Sequence, residues 1–220
     1  MGEDVTNANI DNPDFRRLAI EHAMNIKDYI RAEKLALEGI TSENSRFSSV
    51  SCWQYLLHDI YKLSGNTKKL TDICYTLVKE GKTDYYEEWK SLIPEENRSY
   101  EINRLLNESE NYSYEYIISC ENISDRIYEF CCKFPSKISC YYKKLKKTEF
   151  MEQSKNLYEQ YIRDSGEKAS NRSEYAVLCK QLKNFSMECD SELALKIAAD
   201  FRELYRRKPA FMDELTKAGF

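Results

Sequence analysis

The residues best equipped for chemistry in this 220-residue chain are lysines, arginines and tyrosines rather than nucleophiles. The run Tyr141-Tyr142-Lys143-Lys144-Leu145-Lys146-Lys147 interleaves aromatic rings with ammonium groups. Such rings stack on bases and such lysines neutralise phosphates, so the run is a candidate nucleic-acid contact. Arg206, Arg207 and Lys208 form a second basic cluster. The competing reading is a surface helix face whose lysine stems cover apolar neighbours, its cations favoured near a helix C-terminus by the dipole. Tyrosine, at 17 residues, is the other abundant group. Its large apolar body and polar tip suit packing between helices and the lining of partner grooves alike. Tyr55, Tyr61, Tyr85, Tyr86, Tyr112, Tyr114 and Tyr116 are the candidates for a groove that binds a protein partner.

Signatures of catalysis are missing. The chain has no G-x-G-x-x-G, phosphate-binding loop, G-x-S-x-G or H-E-x-x-H motif. His22 and His58 each lack a second ligand three to five residues away, and the eight cysteines include no C-x-x-C pair. Spacing therefore predicts no metal site and no cofactor. Most of the cysteines fall on the apolar phase of helical segments and read as reduced, packed thiols; Cys131 and Cys132 are the pair whose exposure needs checking. Glu87/Glu88 and Glu95/Glu96 are acid pairs. Helix neighbours point about 100° apart, so such pairs do not converge on one substrate atom and read as a solvated face. The expectation is a protein that is not an enzyme and takes no small-molecule substrate.

The elements that must position these groups are helical. Hydrophobic residues make up 42% and charged residues 32%, a balance suited to a globular chain. Only 6 Gly, 4 Pro, 4 Val and 8 Thr occur against 19 Leu and 16 Ile, which disfavours a β-sandwich. Leu70, Ile73, Cys74, Leu77 and Val78 follow helical spacing between Gly65 and Gly81, with Asn66 as N-cap. Cys52, Leu56, Ile60 and Leu63 line a preceding helix, so 52–80 reads as a helical hairpin. Leu57, Tyr61 and Gly65 sit at tetratricopeptide offsets, but Leu70 and Cys74 occupy the positions that repeat reserves for a small residue and a phenylalanine. Further helices are expected over 84–92, 95–107, 114–120, 123–133, 135–147, 149–164, 172–185 and 190–206, with a polar loop at 107–113 and Pro209 opening a last short helix. Net charge is −7 over 1–140 and +3 over 141–220, a mild asymmetry.

The stretch from Phe130 to Phe185, a helix ending in Tyr161 and the turn Asn171-Arg172-Ser173-Glu174-Tyr175 among its pieces, continues into Tyr205-Arg206-Arg207-Lys208-Pro209-Ala210 and Phe211-Met212-Asp213-Glu214-Leu215. With Tyr85-Tyr86-Glu87-Glu88-Trp89 upstream, it resembles the C-terminal helical region of bacterial and archaeal SWIM zinc-finger proteins. The resemblance implies a helical repeat. It does not extend to zinc, because the Cys-x-Cys and Cys-x-His pairs that define the family's motif are absent.

The sequence thus predicts an all-α helical-hairpin solenoid with tetratricopeptide-like repeats. A flexible tail is expected at 1–12, with hairpins over 13–110 continuing into hairpins over 111–220. The leading functional expectation is a non-catalytic, cytoplasmic protein–protein interaction module, with no membrane span, that docks a peptide or helix of a partner. The alternative is a nucleic-acid-associated helical domain using 143–147 and 206–208.

Overall fold

The computed structural model describes residues 10–41, 50–109 and 111–220, and every regular element among them is helical. The expected tail at 1–12 falls, through its first nine residues, outside the described residues. The chain divides into two compact units, Met1–Tyr116 and Ile117–Phe220.

In the first unit, α1 (Pro13–Asn25) begins at a proline, with the Asn12 side chain accepting the Asp14 N–H. It packs on α2 (Tyr29–Thr41), and the small residues Ala19, Ala23, Ala32 and Ala36 of the two helices are all buried. Gly39 of α2 lets the next helix come closer still: a Cβ there would lie 2.6 Å from the Trp53 ring. That ring belongs to α3 (Val50–Ser64), which turns through Gly65 into α4 (Thr67–Lys79). Gly65 has φ +71°, a conformation L side chains rarely adopt, and Asn66 caps α4 by accepting the Lys69 N–H. Leu70, Ile73, Cys74, Leu77 and Val78 are all buried, as their spacing predicts. Each of the four aliphatic side chains contributes about 1.5–3 kcal/mol on burial.

Beyond α4, the helix expected from Asp84 starts instead as a 3₁₀ turn, Thr83–Tyr85, and becomes α5 (Tyr86–Leu92). Pro94 then separates it from α6 (Glu95–Glu108). The polar loop expected at 107–113 is shorter than its composition suggests, because α7 (Asn111–Cys120) begins within it. There the buried Ser113 hydroxyl donates to the Val78 carbonyl at 2.6 Å, so a polar residue is satisfied by packing rather than by solvent.

The second unit holds α8 (Ser124–Lys133), a 3₁₀ turn at Pro135–Lys137, α9 (Ile138–Leu145), α10 (Met151–Lys168), α11 (Arg172–Glu188), α12 (Ser191–Leu204) and α13 (Pro209–Ala218). Asn171 and Asp190 cap α11 and α12 by accepting the Glu174 and Leu193 N–H groups. An aromatic seam joins the helices. Tyr142 meets Tyr158 at 5.9 Å, Tyr158 meets Phe185 at 5.1 Å, and Phe211 stacks on Tyr175 at 4.7 Å. Gly166 admits Phe201 so closely that a Cβ would lie 2.7 Å from its ring.

Within each unit, most consecutive helices among the described residues pack on one another. The fold class is all-α, a helical-hairpin solenoid. Among the described residues, no helix is long and apolar enough to cross a membrane.

Candidate functional site

A gathering of ionisable side chains in the first unit forms where three helices meet. Helix α3 presents His58 and Lys62 one turn apart on one face. Helix α4 presents Cys74 from its apolar stripe, and the first turn of α5 presents Glu88. His58 is 6% exposed and Cys74 is fully buried, while Glu88 keeps one edge toward solvent. The His58 Nε2 atom lies 2.7 Å from Glu88 Oε2, and Nδ1 lies 3.1 Å from Asp59 Oδ1. Lys62 Nζ takes the other Glu88 oxygen at 2.8 Å. The edge of the Tyr85 ring closes on His58 with centroids 4.8 Å apart, and Tyr55 stacks on Tyr85 at 6.0 Å.

These contacts fix what the cluster can do. Burial pushes the Glu88 carboxyl upward, but hydrogen bonds from Lys62 and His58 outweigh it and hold the carboxyl below its ordinary range. Burial, and secondarily the Glu88 charge, pushes the Cys74 thiol up to about 12. A nucleophilic cysteine needs a lowered pKa and access to substrate. Cys74 has neither, so the site holds a neutral thiol rather than an activated one. The cluster can instead offer donor atoms: His58, Cys74 and Glu88 bring one nitrogen, one sulfur and one oxygen within 4.8 Å of one another. The expectation of no metal site rested on spacing along the chain, whereas these three donors come together from three separate helices.

No family model, curated protein or solved structure matches the chain.

The seven candidate tyrosines do not form one groove. Tyr86 is fully buried against Trp89 and, edge-on, Tyr116. Tyr61 is also buried, and its hydroxyl donates to Glu33 at 3.0 Å. Both belong to the core, a correction that follows from their lying on the apolar phase of α3 and α5. Tyr55 and Tyr85 are half-buried beside His58, Tyr114 and Tyr116 are half-buried on α7, and Tyr112 is exposed.

The basic run is likewise divided. Tyr141 and Tyr142 are buried, so neither ring is available to stack on a base. Helix α9 packs against α8, α10 and α11 together, which covers two adjacent residues at once. The Tyr142 hydroxyl pairs with Cys189 inside this core. Lys143 forms an ion pair with Glu188 at 2.9 Å, Lys146 donates to the Glu188 carbonyl, and Lys144 donates to Ser119. Lys143, Lys144 and Lys147 still line a cavity of about 310 Å³ with Asn122, Ser124 and Thr148. At the other cluster, Arg206 and Arg207 are exposed. Lys208 instead donates to the Ala169 carbonyl and sits over the Tyr205 and Tyr175 rings, closing the last hairpin.

Among the cysteines, all thiols, only Cys74, Cys131 and Cys179 are buried; Cys189 is half-buried. Cys52, Cys120, Cys132 and Cys140 are exposed, so the expectation of mostly packed thiols is corrected by half of them. The Cys131–Cys132 pair splits, the first buried and the second exposed.

In the sequence, Glu88 reads as part of an acid pair with Glu87 and of the segment 85–89, and His58 as a lone histidine. The available signal is the i, i+4 pairing of His58 with Lys62, which sets both on one face of the helix.

Proposed function

We propose that this chain is a non-catalytic protein–protein interaction module, a tetratricopeptide-like helical scaffold that docks a peptide or helix of a partner protein. The observation that carries the reading is the strong exposure of aliphatic side chains near the α1–α2 turn and the end of α3. Ile30 is 85% exposed, Leu63 59% and Ile26 56%. Ile26 and Ile30 flank the α1–α2 turn, and Leu63 lies in the last turn of α3. The bond from Tyr61 to Glu33 brings those two helix ends together. Strongly exposed aliphatic side chains at these helix ends suit an apolar face of a docked partner. The exposed lysines Lys27 and Lys34 flank the group, which suits an amphipathic helix with acidic residues beside its apolar face. The buried, neutral Cys74 thiol also favours binding over catalysis.

The proposal places the protein in the cytoplasm, where its eight thiols stay reduced. It includes kinship with the C-terminal region of SWIM zinc-finger proteins, on the segments 171–175 and 205–215. The test is capture from a nuclease-treated lysate of the source organism with wild type and with the Ile30→Asp/Leu63→Asp pair. A protein retained by the first and lost by the second supports the reading. Equal retention by both, or no protein at all, overturns it.

A second reading, nucleic-acid association, is favoured by the three lysines around the 310 Å³ cavity. It rests on phosphate contacts without base stacking, since Tyr141 and Tyr142 are buried. It expects affinity to fall steeply between about 50 and 200 mM salt. It also expects binding to vanish when Lys143, Lys144, Lys146 and Lys147 are replaced by Glu.

A further inference from the structure

The two carboxylates around His58 pose a chemical question. A neutral imidazole carries one N–H, yet its two nitrogens face Asp59 Oδ1 at 3.1 Å and Glu88 Oε2 at 2.7 Å. In the tautomer whose Nδ1–H is donated to Asp59, the Nε2 lone pair can ligate a cation that Glu88 Oε2 also faces.

The surroundings favour a metal as that cation. A histidine that ligates through one nitrogen while donating its other N–H to a carboxylate is the recurrent arrangement around protein-bound zinc. Asp59 stands in the carboxylate's place. The third donor, Cys74 Sγ, supplies a soft ligand that magnesium and calcium do not seek. We propose that His58, Cys74 and Glu88 form a zinc-binding site that ties α3, α4 and α5 together.

Zinc bonds of about 2.0–2.3 Å in tetrahedral geometry set neighbouring donors roughly 3.3–3.8 Å apart. The His58–Glu88 pair must open from 2.7 Å, and the widest pair must close from within 4.8 Å. Side-chain rotation of Glu88 and Cys74 supplies both movements. On binding, the Cys74 Sγ–H bond breaks, its proton leaves to solvent, and the electron pair forms the sulfur–zinc bond. One thiolate, one carboxylate and a neutral imidazole then balance the ion's charge. Lys62 keeps the second Glu88 oxygen, and a water entering along the exposed edge of Glu88 completes four-coordination. The inference stands independently of the partner proposed above.

The test uses the full chain with Cys52, Cys120, Cys132 and Cys140 replaced by Ser, which removes the exposed thiols from competition. Titration with cobalt(II), as a spectroscopic stand-in for zinc, is expected to give one equivalent with a thiolate-to-metal charge-transfer band. That band is lost in Cys74→Ser, and Zn²⁺ displaces the cobalt. Asp59→Asn, which weakens the orienting hydrogen bond, is expected to lower Zn²⁺ affinity about 10–100-fold while leaving the band in place. X-ray absorption of the zinc-loaded, otherwise intact protein gives an answer that does not depend on Cys74→Ser folding. One sulfur with nitrogen and oxygen neighbours upholds the site. Coordination by oxygen and nitrogen alone, more than one sulfur, or no bound zinc overturns it.

Discussion

Replacing Glu88 tests the three-helix junction by its energetics. Glu88→Ala removes the acceptor 2.7 Å from His58 Nε2 and leaves a 6% exposed imidazole with an unpaired nitrogen. A hydrogen bond to a charged group contributes about 1.5–3 kcal/mol. The partial exposure of Glu88 and the solvated Lys62 ammonium place the loss toward the middle of that range, about 2 kcal/mol. For a unit of this size, that lowers the midpoint of thermal unfolding by roughly 6–12 °C. Glu88→Gln, whose amide oxygen still accepts a hydrogen bond, is expected to cost about half as much. The assay is convenient because both tryptophans, Trp53 and Trp89, lie in the first unit, so their fluorescence reports on that unit alone. Glu87→Ala is the control, an exposed neighbour in the same helix turn. The effect also depends on pH. The Glu88 carboxyl is held below its ordinary value in the folded state. Its stabilisation is therefore present above the unfolded value of about 4.3 and disappears as pH falls through the folded value. Wild type and Glu88→Gln converge in acid. Equal losses for Glu88→Ala and Glu87→Ala at neutral pH, or a difference that persists in acid, would refute the reasoning.

Three further outcomes are expected. Gly166→Ala drives a methyl into the buried Phe201 ring, and overpacking of about 1–3 kcal/mol outweighs the helix-propensity gain of about 1 kcal/mol. Chemical denaturation followed by tyrosine fluorescence and far-ultraviolet dichroism should show a net loss in the second unit with the tryptophan signal of the first unchanged. A thiol-reactive dye on the native protein labels Cys52, Cys120, Cys132 and Cys140 quickly and Cys74, Cys131 and Cys179 only on unfolding, with peptide mapping as the readout. Lys143→Glu and Lys147→Glu together leave the capture of a protein partner unchanged. Loss of capture by that pair would shift the binding surface to the lysine-lined cavity.

The hairpins were legible because their signals are local. The spacing of Leu70 through Val78, the Asn66 cap, the left-handed Gly65 and the proline at the start of α13 each act within a few residues of chain. The site was not legible, because His58, Cys74 and Glu88 are 16 and 14 positions apart in sequence and meet only when three helices pack. Tyrosine composition showed that amphipathic rings were plentiful but not which way each one faces. Tyr86 and Tyr142 went inward and Tyr112 outward. The adjacent burial of Tyr141 and Tyr142 reflects a helix covered from several sides, a property of the neighbours of α9 rather than of α9 itself. Polarity misled at Ser113, where a backbone carbonyl rather than water receives the hydroxyl.

The central claim is that the aliphatic end of the first hairpins docks a protein partner, and a photo-crosslinking amino acid at position 30 tests it directly. In living cells of the source organism, position 30 should yield one discrete protein adduct that resists nuclease and disappears when Leu63→Asp is added. The same crosslinker at position 183, on the exposed face of α11, should yield none. Identical adducts at both positions, or adducts that nuclease removes, would contradict the account.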